Sequence, residues 1–283
     1  MKRRIPALLV LLLLASGCSL GPREDWAEAM RGAFDTAREA GGAHVRQSVT
    51  VGVIETNIRQ DPRPLIPRGD GTADFDARRA SMTGAGARKT RVIYDDLAVF
   101  ASRSKASAAT DKKAWARFDY ENEPAEDIDD NDRRMAVGAG LISPVIALEI
   151  LQGVLTGSIE RQGTGRKAGT QATRYTARIA PDAAIIEIRD EDRKEGVARM
   201  FQTLGVQQDD FPVDVWLDAD DRVRGLRFRM RQQKDRVNAF NMAVSWEFSD
   251  YGAAEPIDVP LRDDAIRPDR FRDFVTELIR EFA

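Results

Sequence analysis

Two stretches near the C-terminal end decide the fold: Arg222-Val223-Arg224-Gly225-Leu226-Arg227-Phe228-Arg229-Met230-Arg231 and Phe240-Asn241-Met242-Ala243-Val244-Ser245-Trp246-Glu247-Phe248. In the first, Leu226, Phe228 and Met230 alternate with Arg227, Arg229 and Arg231. In the second, Phe240, Met242, Val244, Trp246 and Phe248 alternate with Asn241, Ala243, Ser245 and Glu247. Successive side chains of a strand point to opposite faces, so a period of two marks half-buried strands. The pair predicts an antiparallel sheet with one wet face and one apolar face rich in methionine and aromatic rings. Two uses of that apolar face stay open. Helices cover it as ordinary core, or it lines an adaptable pocket, for which the unbranched thioether of methionine is suited.

The same period recurs upstream. Val45, Gln47, Val49, Val51 and Val53 fall on one side of a strand that starts near His44, and Tyr175, Ala177 and Ile179 share a face in 170–179. Further strands are predicted over 74–82, 115–120 and 211–217, with a hairpin over 91–102 turning at Asp95-Asp96 and another turning at 218–221. Residues 61–71, with Pro62, Pro64, Pro67, Gly69 and Gly71, read as a loop. Helical spacing predicts helices over 26–40, 136–156, 181–204 and 269–282, the second opened by Ser143-Pro144. The acidic run 121–134 reads as a solvated loop, and Gly163-Thr164-Gly165 as a turn. Eight to ten strands with helices set between runs of them predict a single α+β domain built on an antiparallel sheet.

The N-terminus carries a second signal. Lys2, Arg3 and Arg4 precede an apolar run from Ile5 to Leu14, followed by Ala15-Ser16-Gly17-Cys18. This is the pattern of a secretory signal peptide, and its cysteine makes it a bacterial lipoprotein signal. Cleavage before Cys18 removes residues 1–17, residues 18–25 form a tether, and residues 26–283 form the domain. Two acyl chains, palmitate among them, anchor such a domain stably to the extracytoplasmic face of the cell membrane. The run from Ile5 to Ala15 is too short to span a bilayer, which takes roughly 20 residues.

Composition narrows the functional classes. Without residues 1–17 the chain holds 40 basic against 46 acidic residues, which argues against a nucleic-acid partner. Cys18 is the only cysteine and His44 the only histidine, so a typical zinc site has no ligand set. His44 alone would have to serve a Ser-His-Asp triad, and no Gly-x-Ser-x-Gly elbow is present. The run Asp127-Ile128-Asp129-Asp130-Asn131-Asp132 lacks the sixth-position glycine and twelfth-position glutamate of a calcium loop. No metal, cofactor or catalytic residue is expected.

Specific segments carry a resemblance. Val213-Asp214-Val215-Trp216-Leu217-Asp218 with Arg222-Val223-Arg224-Gly225-Leu226, then Val244-Ser245-Trp246-Glu247-Phe248-Ser249-Asp250-Tyr251-Gly252 with Pro256-Ile257-Asp258-Val259-Pro260, resemble actinobacterial lipoproteins of the LppX/LprG type. Thr173-Arg174-Tyr175-Thr176 and the order of elements fit as well. An actinobacterial source agrees with the high-GC bias of 35 arginines against 8 lysines. That family is similar to the LolA/LolB carriers. The resemblance implies a curved antiparallel sheet, an incomplete barrel, with helices over its concave face and a hydrophobic cavity between them. It further implies a lipid or glycolipid ligand held without catalysis. The expected lining is Tyr175, Ile179, Phe228, Met230, Met242, Val244 and Trp246 from the sheet and Leu148, Leu151 and Leu155 from the helix. The rival reading keeps the fold, fills the cavity with side chains and makes the protein an interaction or signalling lipoprotein with a membrane-protein partner. A hydrolase is the third.

Overall fold

The computed structural model describes residues 25–55, 58–59, 63–84, 90–103, 112–121, 141–204, 210–233, 239–252, 254–268 and 273–274. In chain order the elements are α1 (Asp25–Arg31), α2 (Ala33–Ala40), β1 (Gly42–Glu55), β2 (Ile58–Arg59), β3 (Arg63–Asp74), β4 (Arg79–Gly84), β5 (Arg91–Asp95), β6 (Ala98–Ser102) and β7 (Trp115–Asp119). They continue with α3 (Pro144–Glu149), β8 (Glu160–Lys167), β9 (Thr170–Ile179), α4 (Pro181–Glu187), α5 (Glu191–Leu204), β10 (Phe211–Leu217), β11 (Val223–Gln233), β12 (Ala239–Gly252) and β13 (Ala265–Ile266).

All strands belong to one sheet, in the order β13-β7-β6-β5-β4-β3-β1-β12-β11-β10-β9-β8, with β2 paired to β1. Neighbours are antiparallel except β13 with β7. The sheet is curved and open, ending at β13 and β8, and the helices pack over its concave face: an incomplete barrel of the α+β class. The long pairing of β1 with β12, from Gly42↔Gly252 to Ile54↔Ala239, joins the N-terminal half of the sheet to the C-terminal half.

Alternation assigns the two faces as the sequence predicts. Val45 and Val49 of β1, Val213 and Val215 of β10, Leu226 and Phe228 of β11, and Val244, Trp246 and Phe248 of β12 are buried in one core with the helices. The floor of this core is uneven. Over β1, β3 and β4 small residues (Ala43, Gly69, Gly71, Ala73, Ala80 and Gly84) are set among Val45, Gln47, Val49 and Met82. Helix α3 lies over β3 and β4 there. Over β9 to β12 the floor is built of large side chains. A second, smaller cluster covers the opposite face, where Ile257 packs on Ile93, Ala98 and Phe100.

The helices are shorter than their periodicity predicts. Gly32 divides 26–40 into α1 and α2, and Ile188–Asp190 divides 181–204 into α4 and α5. The Asp190 carboxylate accepts from Arg193 N at 2.9 Å, capping α5. Helix α3 starts where Ser143-Pro144 predicts, with Ser143 Oγ accepting from Val145 N at 3.2 Å. It gives way at Ile150 to a 3₁₀ turn, after which Val154 bridges to Ile179. Residues 136–140, the acidic run beyond Glu121, and all of 269–282 except Asp273 and Phe274 lie outside the described residues. Phe274 is buried, its ring 5.6 Å from Phe118.

Three further expectations are corrected. The stretch 63–74 is strand β3, not loop. Among the described residues Pro64 pairs only with β1, and pairing with β4 begins at Gly69. A proline without a second neighbouring strand forfeits no ladder hydrogen bond there. The strand predicted over 74–82 is instead the end of β3, a turn and β4. Gly163-Thr164-Gly165 lies in edge strand β8, where the register shifts between Arg161 and Gly163.

Helices and sheet are tied by ions at one place. Glu149, at the end of α3, accepts from Arg78 Nη1 at 2.7 Å and from Arg193 of α5 through both carboxylate oxygens. Arg193 also donates to Asp96 in the β5–β6 turn. Glu149 and Arg193 are both buried, so removing either leaves an uncompensated charge. Glu149→Ala is expected to cost about 3–5 kcal/mol in chemical denaturation. Asp35→Ala, which breaks an exposed pair with Arg38, is expected to cost less than about 1 kcal/mol. Equal effects would contradict this assignment.

Candidate functional site

The register places one row of side chains across seven strands of the concave face. Tyr175 of β9 stands opposite Val215, Val215 opposite Leu226, Leu226 opposite Trp246, and Trp246 opposite Gln47; Gln47 then faces Gly69, and Gly69 faces Gly84. At the β9 end, the ring of Trp26 from α1 lies 4.8 Å from that of Tyr175 and caps the row. In the middle, Trp246 meets Phe228 edge-on at 5.2 Å, and Phe228 meets Phe211 at 5.4 Å. Such edge contacts add about 0.5–1.5 kcal/mol beyond the area they bury.

Of the residues expected to line a cavity, Tyr175, Ile179, Phe228, Val244 and Trp246 of the sheet and Leu148 and Leu151 of the helical segment are buried in this one core. Met230 and Met242 stand opposite each other on β11 and β12, two residue pairs beyond Phe228 and Val244, and their side chains lie outside the described residues. Leu155 is not with them. Its exposure is 36%, because the chain leaves helical geometry after Glu149 and passes along the end of β9, where Leu155 N donates to Arg178 O at 2.9 Å. Arg31 holds this segment by donating to Val154 O at 3.0 Å.

Polar groups in the interior are few, and periodicity hides them. Gln47 occupies an apolar position of β1, and its Oε1 accepts from Tyr94 Oη at 3.4 Å. Burial holds the Tyr94 phenol well above its ordinary value, with the Gln47 hydrogen bond opposing, so Tyr94 is a neutral donor. Trp246 is fully buried, and its Nε1–H finds no partner among the described residues. A buried donor left unpaired costs about 1–3 kcal/mol. Arg117 Nε, Asp214 Oδ2 and Arg229 Nε are likewise without a partner among the described residues, but each belongs to a charged group paired through its other atoms.

The convex face is a lattice of paired charges. Asp214 is buried beneath Arg174 and Arg229, whose Nη2 atoms lie 3.1 and 3.2 Å from its Oδ1. Lys167 Nζ reaches Glu247 at 2.7 Å while sitting 4.8 Å from the centre of the Trp216 ring. At the start of β1, His44 Nε2 lies 3.0 Å from Asp70 Oδ1, and Ser249 Oγ lies 3.3 Å from His44 Nδ1. Three triad residue types thus meet, a juxtaposition the sequence reading passed over because they lie far apart along the chain. The setting is unlike a catalytic one. A working triad has a buried acid and a hydroxyl aimed at the imidazole. Here Asp70 is 61% exposed, and Ser249 Oγ donates to Asp250 at 3.1 Å. Among the described residues no cluster of three histidine, cysteine or carboxylate groups could hold a metal, and no helix is long and apolar enough to cross a membrane.

No family model matches the sequence, and no curated protein matches it. Solved structures do resemble the fold. The lipoprotein LppX of Mycobacterium tuberculosis is 12% identical with a TM-score of 0.45, the match covering 84% of this chain and 100% of that one. LprF of Mycobacterium bovis is 13% identical with a TM-score of 0.41, covering 84% and 96%. A LolA-superfamily protein of Nitrosomonas europaea is 9% identical with a TM-score of 0.31, covering 83% and 94%. At these identities the function must be read from the chain's own residues.

The exposed Ser249–His44–Asp70 cluster is expected to be inert. Hydrolysis of p-nitrophenyl butyrate by the wild type should equal that by Ser249→Ala, and His44→Ala should retain the wild-type melting temperature within a degree or two. An esterase activity abolished by Ser249→Ala would contradict this.

Proposed function

We propose that the protein is a lipoprotein of the cell envelope, anchored through Cys18 to the extracytoplasmic face of the membrane, that binds a lipid or other hydrophobic ligand without catalysis. The observation that carries this reading is the apolar face of the sheet, from Tyr175 and Ile179 through Phe228 and Val244 to Trp246, buried in one core with Leu148 and Leu151. Such a surface suits acyl chains, each buried methylene being worth about 0.8 kcal/mol. A sixteen-carbon chain therefore gains on the order of 10 kcal/mol before ordering costs. The anchor keeps the site beside the bilayer that supplies the ligand.

A second reading is favoured by the aromatic contacts. Phe211, Phe228 and Trp246 interlock edge to face, and side chains packed in this way also serve as plain core. In that case the protein acts through its surface on a membrane-protein partner. Ile186 and Leu261, 71% and 70% exposed, are then candidates for the contact.

Val244→Trp separates the two. Where the interior accommodates a ligand, the larger ring takes the ligand's space, the fold persists and co-extracted lipid disappears. Where the interior is packed solid, the substitution overpacks it and costs roughly 1–3 kcal/mol. Melting temperature and solvent-extracted lipid are measured on the same preparation. Lipid in the wild type, absent from a stable variant, is the expected result; no lipid in the wild type and a destabilised variant would contradict the carrier reading.

The anchor is tested separately. Cys18→Ala is expected to shift the protein from the membrane to the soluble fraction, or to leave it uncleaved, with loss of the acyl mass. Unchanged fractionation and mass would exclude lipidation at Cys18.

A further inference from the structure

The Trp246 indole lies in the centre of the sheet, on the concave face, and its Nε1–H is buried without a hydrogen-bond partner among the described residues. Its neighbours in the row are chemically uneven. On one side stand Leu226 and Val215, on the other the Gln47 amide, followed by Gly69 and Gly84, which carry no side chain. No residue of this row is charged. Above Gly69 the space is held by the end of Met82, whose Cε lies 3.5 Å from where a Cβ would stand. A methionine terminus moves aside at little cost, because its three torsions and soft sulfur repack readily. An otherwise apolar site with a few convergent polar groups is the usual form of a small-molecule site, the polar groups fixing orientation.

These observations restrict the ligand. The free group is a donor, so the ligand brings an acceptor. With no charge in the row to pair it, an anionic carboxylate or phosphate would be desolvated uncompensated. The acceptor is therefore neutral. We propose that Trp246 Nε1–H donates to the carbonyl oxygen of an acyl ester, so that the site selects a neutral ester-bearing lipid over a hydrocarbon of the same length. The inference rests on the hydrophobe-binding reading above and adds a specificity-determining contact to it. Trp246 orients the ester, and the acyl chain lies against the apolar face of the sheet.

The test uses methyl palmitate and hexadecane as probes, each loaded from cyclodextrin into the ¹⁵N-labelled protein. The four tryptophans give four indole N–H signals, and the signal lost in Trp246→Phe is that of Trp246. Should that variant fail to fold, Trp26→Phe, Trp115→Phe and Trp216→Phe assign it by elimination. Methyl palmitate is expected to move the Trp246 indole proton downfield, as a new hydrogen bond does, and hexadecane to leave it without that shift. In a competition assay, Trp246→Phe is expected to lower affinity for the ester about tenfold, the size of one buried hydrogen bond, and to leave that for hexadecane unchanged. If both probes bind, by gas chromatography of retained ligand, and affect the Trp246 signal alike, the ester contact is wrong and hydrophobe binding stands. If neither is retained, the hydrophobe-binding reading fails and this inference with it.

Discussion

The pairing of β1 with β12 is the constraint on which the rest of the structure depends. It brings a strand near residue 45 against one near residue 247 and fuses the two halves of the sheet into a single curved surface. The side-chain period of a strand is two, so a slip of one residue would turn every side chain of one partner to the other face. Trp246, Val244 and Phe248 would then face water, while Glu247 and Ser245 would enter the core. What holds the register is the burial of Val45, Gln47 and Val49 opposite Phe248, Trp246 and Val244. It is flanked on the wet face by Arg46 reaching Glu247 at 3.5 Å. The apolar contacts dominate, since an exposed pair of that length contributes about 0–1 kcal/mol against roughly 1.5–3 kcal/mol for each large side chain buried. Contacts so distant along the chain must wait for loop closure, so they form late in folding.

From that register the division of labour follows. Strands β3 and β4 present glycine and alanine beneath α3, while β5 to β7 add Val92, Tyr94, Val99 and Phe118 to the same core. The C-terminal half presents a high floor of Phe228, Trp246 and Phe211. The step between them falls beside Gln47 and Trp246. The Glu149–Arg193–Arg78–Asp96 cluster fastens the helical layer to two sheet turns. Buried ion groups of this kind fix geometry more than they add net stability.

Much of the sheet was legible because alternation is a local signal. The hairpins at Asp95-Asp96 and 218–221, the faces of β9, β11 and β12, and the Ser143 cap all follow from short-range pattern. What escaped depended on neighbours. Strand β3 was masked by its prolines, which are tolerated because the β4 partner begins only at Gly69. Strand β8 has no apolar face at all, being an edge strand exposed on both sides, so its glycines read as a turn. Leu155 kept helical spacing with Leu148 and Leu151, but the chain had left the helix by then. Gln47 follows the alternation of β1, yet no local pattern reveals that Tyr94 reaches it, or that Trp246 Nε1 finds no partner among the described residues. The meeting of Ser249, His44 and Asp70 is likewise a product of register and not of any motif.

The claim that the interior holds a hydrophobic ligand is tested most directly by native mass spectrometry of the intact protein released from the membranes of its own host. Binding predicts two additions to the polypeptide mass: a covalent one, the acyl groups on Cys18, and a noncovalent one that departs under collisional activation and is soluble in organic solvent. A protein that carries the covalent addition alone, across preparations in mild detergent, would contradict the carrier reading and leave a lipoprotein whose concave face is simply its core.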